Sequence, residues 1–134
     1  MATSTIFYPG QLRTVMTHLQ SGNEVITDAP TDNHGKGEAF SPTDLVATGL
    51  GSCMLTVMGI KADSLGISMD GARVSISKHM GTAPRRIVQI DVAVVLPASI
   101  AEEHRSILEL VGTTCPVAKS LHPDLIQNIT FQYQ

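Results

Sequence analysis

Two cysteines, Cys53 and Cys115, are the strongest candidates for reactive groups in this chain, and they stand in different settings. Cys53 lies in Gly51-Ser52-Cys53-Met54, within an apolar stretch that would raise a thiol pKa. Taken by itself it reads as a core residue, because free cysteine is among the most buried residue types. Cys115 comes just before Pro116, at or beside the N-cap of a short helix. Free backbone N–H groups and the positive end of the helix dipole favour a thiolate there. On position alone Cys115 is the more acidic thiol, or else a buried, cap-adjacent thiol without reactivity. The five histidines, His18, His34, His79, His104 and His122, make no His-Glu-x-x-His or His-x-x-x-His spacing, and there is no Cys-x-x-Cys, so no metal site is expected. A hydrolase or transferase pairing Cys115 with a histidine stays open, since such partners need not be neighbours in sequence, but no nucleophile-elbow motif is present. Gly35-Lys36-Gly37-Glu38 lacks the Gly-x-x-x-x-Gly-Lys-Ser/Thr order of a phosphate loop.

The chain that must hold these groups has 134 residues, 43% hydrophobic and 16% charged, which suits one domain over residues 1–134 with a single core. Nine Lys+Arg against twelve Asp+Glu leave a net charge of -3, without the basic surface that phosphate-backbone binding needs. The absence of Trp, with three Phe and two Tyr, also excludes a base-stacking platform, so no nucleic-acid partner is expected. The first residues, MATSTIFYPGQLR, contain no basic region followed by an apolar one, and cytoplasmic residence is expected. The uncharged run between Asp44 and Lys61 carries Thr48, Gly49, Gly51, Ser52 and Thr56 and reads as a buried core helix, not as a membrane span. In a reducing compartment any bond between the two cysteines would be transient and chemical.

Punctuation and period predict the elements. Residues 5–8, 12–19 and 24–28, separated by Pro9-Gly10 and Ser21-Gly22-Asn23, predict a three-stranded meander. A polar loop with Pro30, Gly35 and Gly37 runs from Ala29 to Phe40. Ser41-Pro42-Thr43-Asp44 combines an N-cap, a first-turn proline and a capping-box carboxylate. The helix that starts there should be apolar on every face and end near Gly66. Two alternating runs, 72–78 and 87–96, predict a hairpin. Ser99 with Glu102 predicts the cap of a second helix whose apolar face is Ile107, Leu108, Leu110 and Val111 and which stops near Gly112. A third short helix follows Cys115-Pro116, and residues 125–133 form a last strand. The expected order is β-β-β-α-β-β-α-α-β, an α+β fold.

The run from Gly35 to Leu45, GKGEAFSPTDL, together with Gly51-Ser52-Cys53 and Thr114-Cys115-Pro116-Val117-Ala118-Lys119, resembles the OsmC/Ohr family of osmotically inducible and organic hydroperoxide resistance proteins. The similarity extends over essentially the whole chain. It implies an intertwined homodimer with a long buried central helix packed against antiparallel sheets. It also implies a thiol-dependent peroxidase acting on organic hydroperoxides without metal or organic cofactor. Cys53 matches the peroxidatic cysteine, Cys115 the resolving cysteine, and Arg13 the arginine that stabilises the thiolate and orients the peroxide. A dithiol would be the external reductant, and no membrane partner is implied.

One position departs from the pattern. Family peroxidases carry a glutamate at the place of Thr43, which holds the arginine, and threonine cannot supply that charge. Glu38 and Asp44 are the nearby carboxylates, and Glu38 is preferred because a loop residue can fold over the helix terminus. The departure points to an OsmC-like branch, and it supports an alternative in which the same fold binds a small apolar ligand in the dimer cleft without catalysis.

Overall fold

The computed structural model describes residues Met1–Gln134. Strands β1 (Ser4–Gly10), β2 (Arg13–His18) and β3 (Glu24–Asp28) precede α1 (Pro42–Ser64). Strands β4 (Arg73–Gly81) and β5 (Arg86–Leu96), helices α2 (Glu102–Thr113) and α3 (Pro116–Ser120) and strand β6 (Ile126–Tyr133) complete the expected order. The chain divides into two compact units, Met1–Val46 and Ala47–Gln134, and α1 runs through the boundary.

The first unit holds the antiparallel meander β1-β2-β3. Phe7, Val15 and Ile26 are direct cross-strand partners on one face, and Arg13 stands opposite Asp28 on that same face. Ile6, Phe7, Tyr8, Val25 and Ile26, drawn from both faces of this sheet, stay exposed, whereas Thr27 and Asp28 at the end of β3 are buried. The loop after β3 is more ordered than its composition suggests. A 3-10 turn at Thr31–Asn33 and hydrogen bonds from Gly35 N–H to the Pro30 carbonyl and from Gly37 N–H to the Ala29 carbonyl close it on itself. A Cβ at Gly35 would lie 1.6 Å from the Ala29 carbonyl oxygen, so only glycine allows this closure.

The expected cap of α1 is present as a reciprocal pair. Ser41 N–H donates to Asp44 Oδ2 at 2.9 Å and Asp44 N–H donates to Ser41 Oγ at 3.1 Å. Along α1 the stripe Ala47, Leu50, Met54, Met58 and Ala62 is buried in the core of the second unit with Ile90, Val92, Val94, Leu96 and Leu108. Burying a side chain such as Leu or Met stabilises by about 1.5–3 kcal/mol, so this stripe is a principal source of stability. The helix has the length and hydropathy of a membrane span, yet this stripe packs against protein. The opposite side is not covered by the chain: Val46 is 44% and Ile60 65% exposed, so the helix is buried along one stripe and not all round. Close packing on β4 depends on Gly51, where a Cβ would come within 2.9 Å of Ile76 and 3.0 Å of Val74.

Three expectations are corrected. The second sheet, β4-β5-β6, is mixed and not antiparallel: β4 and β5 pair antiparallel, but β6 runs parallel to β5. After Leu96 the chain crosses through α2 and α3 and re-enters at the same end of the sheet, which imposes the parallel direction. Second, α2 begins at Glu102 with Ala101 at the cap position and no side-chain cap, because Pro97 to Ile100 forms a turn that buries Ile100. Ser99 therefore does not cap it. Third, Leu110, expected on the apolar face, is 58% exposed, whereas Leu108 is fully buried.

The outer face of the second sheet carries a polar network across all three strands. Asp91 accepts from Gln89 Nε2 at 2.7 Å, from His79 Nε2 at 2.6 Å and from Asn128 Nδ2 at 3.0 Å. These bonds, Gln89 foremost, hold its carboxyl at about 2, below the ordinary 3.8. A carboxyl lowered in the folded state contributes stability that is complete above its unfolded pKa and lost as pH falls through the folded one. Urea titrations should therefore show Asp91→Asn with a shallower loss of stability than wild type between about pH 3.8 and about pH 2. Ser41→Ala, which removes half of the α1 cap, should cost about 1 kcal/mol at neutral pH in the same titrations.

Candidate functional site

The short helix α3 places Cys115. Pro116 occupies its first turn, Cys115 is its N-cap, and Ala118 N–H donates to Cys115 Sγ at 3.4 Å. The thiol is only 1% exposed. On α1, Cys53 is half-buried and packs against the same core, beside the stripe that begins at Ala47. The two free thiols, remote in sequence, come close enough there for Cys53 to act on the ionisation of Cys115.

The expectation that the helix N-terminus makes Cys115 acidic is overturned. Burial pushes its thiol above the ordinary value of 9.0, and the proximity of Cys53 pushes in the same direction. The Ala118 and Val117 N–H groups oppose this less strongly. A helix of five residues offers few aligned peptide dipoles, while full burial penalises the thiolate, so desolvation wins. Cys115 is thus held as a neutral thiol next to a more accessible one.

In the first unit the hairpin register sets Arg13 against Asp28. Arg13 Nε donates to Asp28 Oδ1 at 2.7 Å and Nη2 to Oδ2 at 2.8 Å, a bidentate pair. Asp28 is 1% exposed and also accepts from Glu38 N–H at 3.1 Å. The Arg13 hydrogen bonds hold its carboxyl below the ordinary range, and the pair raises the guanidinium in turn. Glu38, the expected partner, has its carboxylate 3.7 Å from Arg13 Nη2, and its side chain is 64% exposed. The other candidate, Asp44, takes part in the α1 cap, and Thr43 Oγ1 lies 3.2 Å from Ser41 Oγ.

Asp28 is the residue that sequence reasoning missed. The signal was available in the turn: with Ser21-Gly22-Asn23 closing the hairpin, the register that joins His18 to Asn23 carries Arg13 to Asp28. Two cavities lie in this unit. One, of about 270 Å³, is lined by Pro9, Gly10, Gln11, Arg13 and Lys36, and Lys36 Nζ donates to Gln11 Oε1 at 3.0 Å. The other, of about 590 Å³, is open and largely apolar, with Val25, Ile26, Ala39 and Phe40 beside Glu24, Glu38 and Asp44. No three His, Cys, Asp or Glu side chains converge so as to hold a metal ion. His18, His79 and His122 bond locally to Ser21, Asp91 and Asp124 N–H respectively.

With this geometry, similarity to known proteins is informative. A family model described as OsmC-like protein matches residues 35–128. A crystal structure from Psychrobacter arcticus 273-4, provisionally named as an osmotic stress induced and detoxification response protein, is 48% identical over 98% of this chain and 96% of its own, with a TM-score of 0.95. An organic hydroperoxide resistance protein OsmC from Legionella pneumophila shares the fold at 13% identity, with a TM-score of 0.76 and 98% of both chains covered. An OsmC-like protein from Mycoplasma pneumoniae does so at 17% identity and a TM-score of 0.80, over 97% of this chain and 94% of its own. No curated protein matches the chain.

The unequal burial of the two thiols has a measurable consequence. Iodoacetamide at pH 8, followed by peptide mapping, should label Cys53 at least about tenfold faster than Cys115 in the folded protein, since only thiolate reacts and Cys115 must be exposed first. In 6 M urea the two rates should converge.

Proposed function

Because the chain belongs to the family of OsmC-like proteins, we propose that it is a thiol-dependent peroxidase that reduces organic hydroperoxides through Cys53 and Cys115. The observation that carries this reading is the meeting of the two cysteines in one core, with Cys53 the more accessible and Cys115 kept neutral by burial. In the first step the Cys53 thiolate attacks the peroxide, forming an S–O bond as the O–O bond breaks. The alkoxide leaves, takes up a proton and departs as the alcohol, and Cys53 becomes a sulfenic acid. Cys115 then attacks that sulfur, giving a disulfide and releasing water. An external dithiol restores both thiols and is itself oxidised to a disulfide, so one hydroperoxide and one dithiol yield one alcohol, one water and one disulfide.

A neutral Cys115 suits the second position in this order. It does not compete for peroxide, and it loses its proton only as the sulfenic acid expels hydroxide. Arg13 is assigned the cationic role on the resemblance, supported by its bidentate hold on Asp28 and its partial exposure.

A homodimer is part of the same reading. Both faces of the first sheet and the outward side of α1 leave large apolar residues in water, including Ile6, Phe7, Tyr8 and Ile60, more than a lone chain of this size tolerates well. Cytoplasmic residence completes it, as a reducing compartment keeps a dithiol reductant available.

Intact mass and thiol counting after one equivalent of cumene hydroperoxide test the cycle. Wild type should lose both thiols, Cys115→Ser should stop at a trappable sulfenic acid, and Cys53→Ser should keep its remaining thiol. Two unchanged thiols in the wild type would favour instead a non-catalytic module that binds a small apolar ligand. Light scattering should give about twice the chain mass, and a monomer in dilute solution would remove the dimer from this reading.

A further inference from the structure

Glu38 and Asp28 both approach Arg13, and their geometries differ in kind. Asp28 makes two short charge-assisted bonds, at 2.7 and 2.8 Å, from a buried side chain. Glu38 makes no hydrogen bond to the guanidinium at 3.7 Å, and its charge is screened by water because the side chain is largely exposed. Two parallel bonds to a planar fork fix both the position and the plane of a guanidinium, which one distant carboxylate cannot do.

Asp28 is itself held on every side. Its own N–H donates to the Phe40 carbonyl at 3.0 Å, and Glu38 N–H donates to its Oδ2 at 3.1 Å. The loop closure that requires Gly35 therefore ends on this carboxylate. Bonded through Nε and Nη2, Arg13 keeps Nη1 as its remaining edge, and its side chain is 34% exposed where that of Asp28 is 2%. Arg13 also lines the cavity of about 270 Å³ with Gln11 and Lys36.

We propose that Asp28 is the positioning residue of the peroxidase, holding Arg13 edge-on so that one fixed pair of N–H donors stays available to the peroxide. The proposal rests on the peroxidase function above. Asp28 does the work that the helix-start glutamate does in family peroxidases, from a strand end instead of from α1. The backbone N–H of Glu38, not its carboxylate, completes the support.

The test compares the second-order rate of Cys53 oxidation by cumene hydroperoxide in wild type, Asp28→Asn, Glu38→Gln, Arg13→Gln and the Arg13→Gln/Asp28→Asn double variant, with thermal melts alongside. Asp28→Asn should lower kcat/KM about 100-fold, the cost of misplacing a group by about 1 Å, and more than Glu38→Gln does. In the Arg13→Gln background the same change should cost less than about threefold, because a residue acting through Arg13 has nothing left to position. The double variant leaves no unpaired buried charge, so if Asp28→Asn alone does not fold, equal rates for it and Arg13→Gln still support the role. A further loss in the double variant, or an Asp28→Asn rate at or above that of Glu38→Gln, overturns it while leaving the peroxidase intact. A wild type that oxidises no Cys53 would overturn the function first, and this role with it.

Discussion

The apolar stripe of α1 can leave water only if the second sheet and α2 close over it, and most of the structure follows from meeting that demand. Ala47, Leu50, Met54, Met58 and Ala62 recur at helical spacing, and Ile90, Val92, Val94 and Leu96 recur at strand spacing on β5, so one ridge lies along one pleated face. Gly51 lets α1 approach β4 closely, and Gly112 lets α2 approach Met54 and Met58. Once that packing forms, Cys53, next to Met54, is carried to the rim of the core, half in contact with it. Cys115, at the end of the crossover through α2, is carried inside.

That placement explains why the two thiols differ. Local position on α3 favours ionisation of Cys115, and tertiary burial opposes it. Burial prevails because a five-residue helix supplies little dipole, whereas a thiolate removed from water loses its hydration almost entirely. The same logic with opposite sign governs Asp28. It is as buried as Cys115, but a bidentate guanidinium and a backbone N–H stabilise its charge more than desolvation opposes it. Two buried groups of low exposure thus take opposite protonation states according to their partners.

The open side of α1 and the exposed apolar residues of the first sheet belong to the same economy of surface. A helix apolar on all faces cannot be surrounded by the rest of one small chain, and here a single stripe is covered while Val46 and Ile60 stay in water. The homodimer proposed above would supply cover for these residues and for the exposed apolar residues on β1-β2-β3.

Residue order alone specified the local features. These are the Ser41–Asp44 capping box, the proline-led start of α3 after Cys115, the alternation of β4 and β5, and the whole element order. Each depends on neighbours within a few positions, where backbone geometry ties residue type to structure. The family motif around Cys53 and Cys115 was legible for the same reason. Long-range facts were not. The parallel direction of β6, the late start of α2, the protonation of Cys115 and the choice of Asp28 over Glu38 each depend on which remote groups come together in space. The Arg13–Asp28 pairing lies between these cases, since a hairpin register is a local rule, but its energetic weight comes from burial. Desolvation is a property of the assembled surroundings, and no stretch of sequence carries it until the chain has folded.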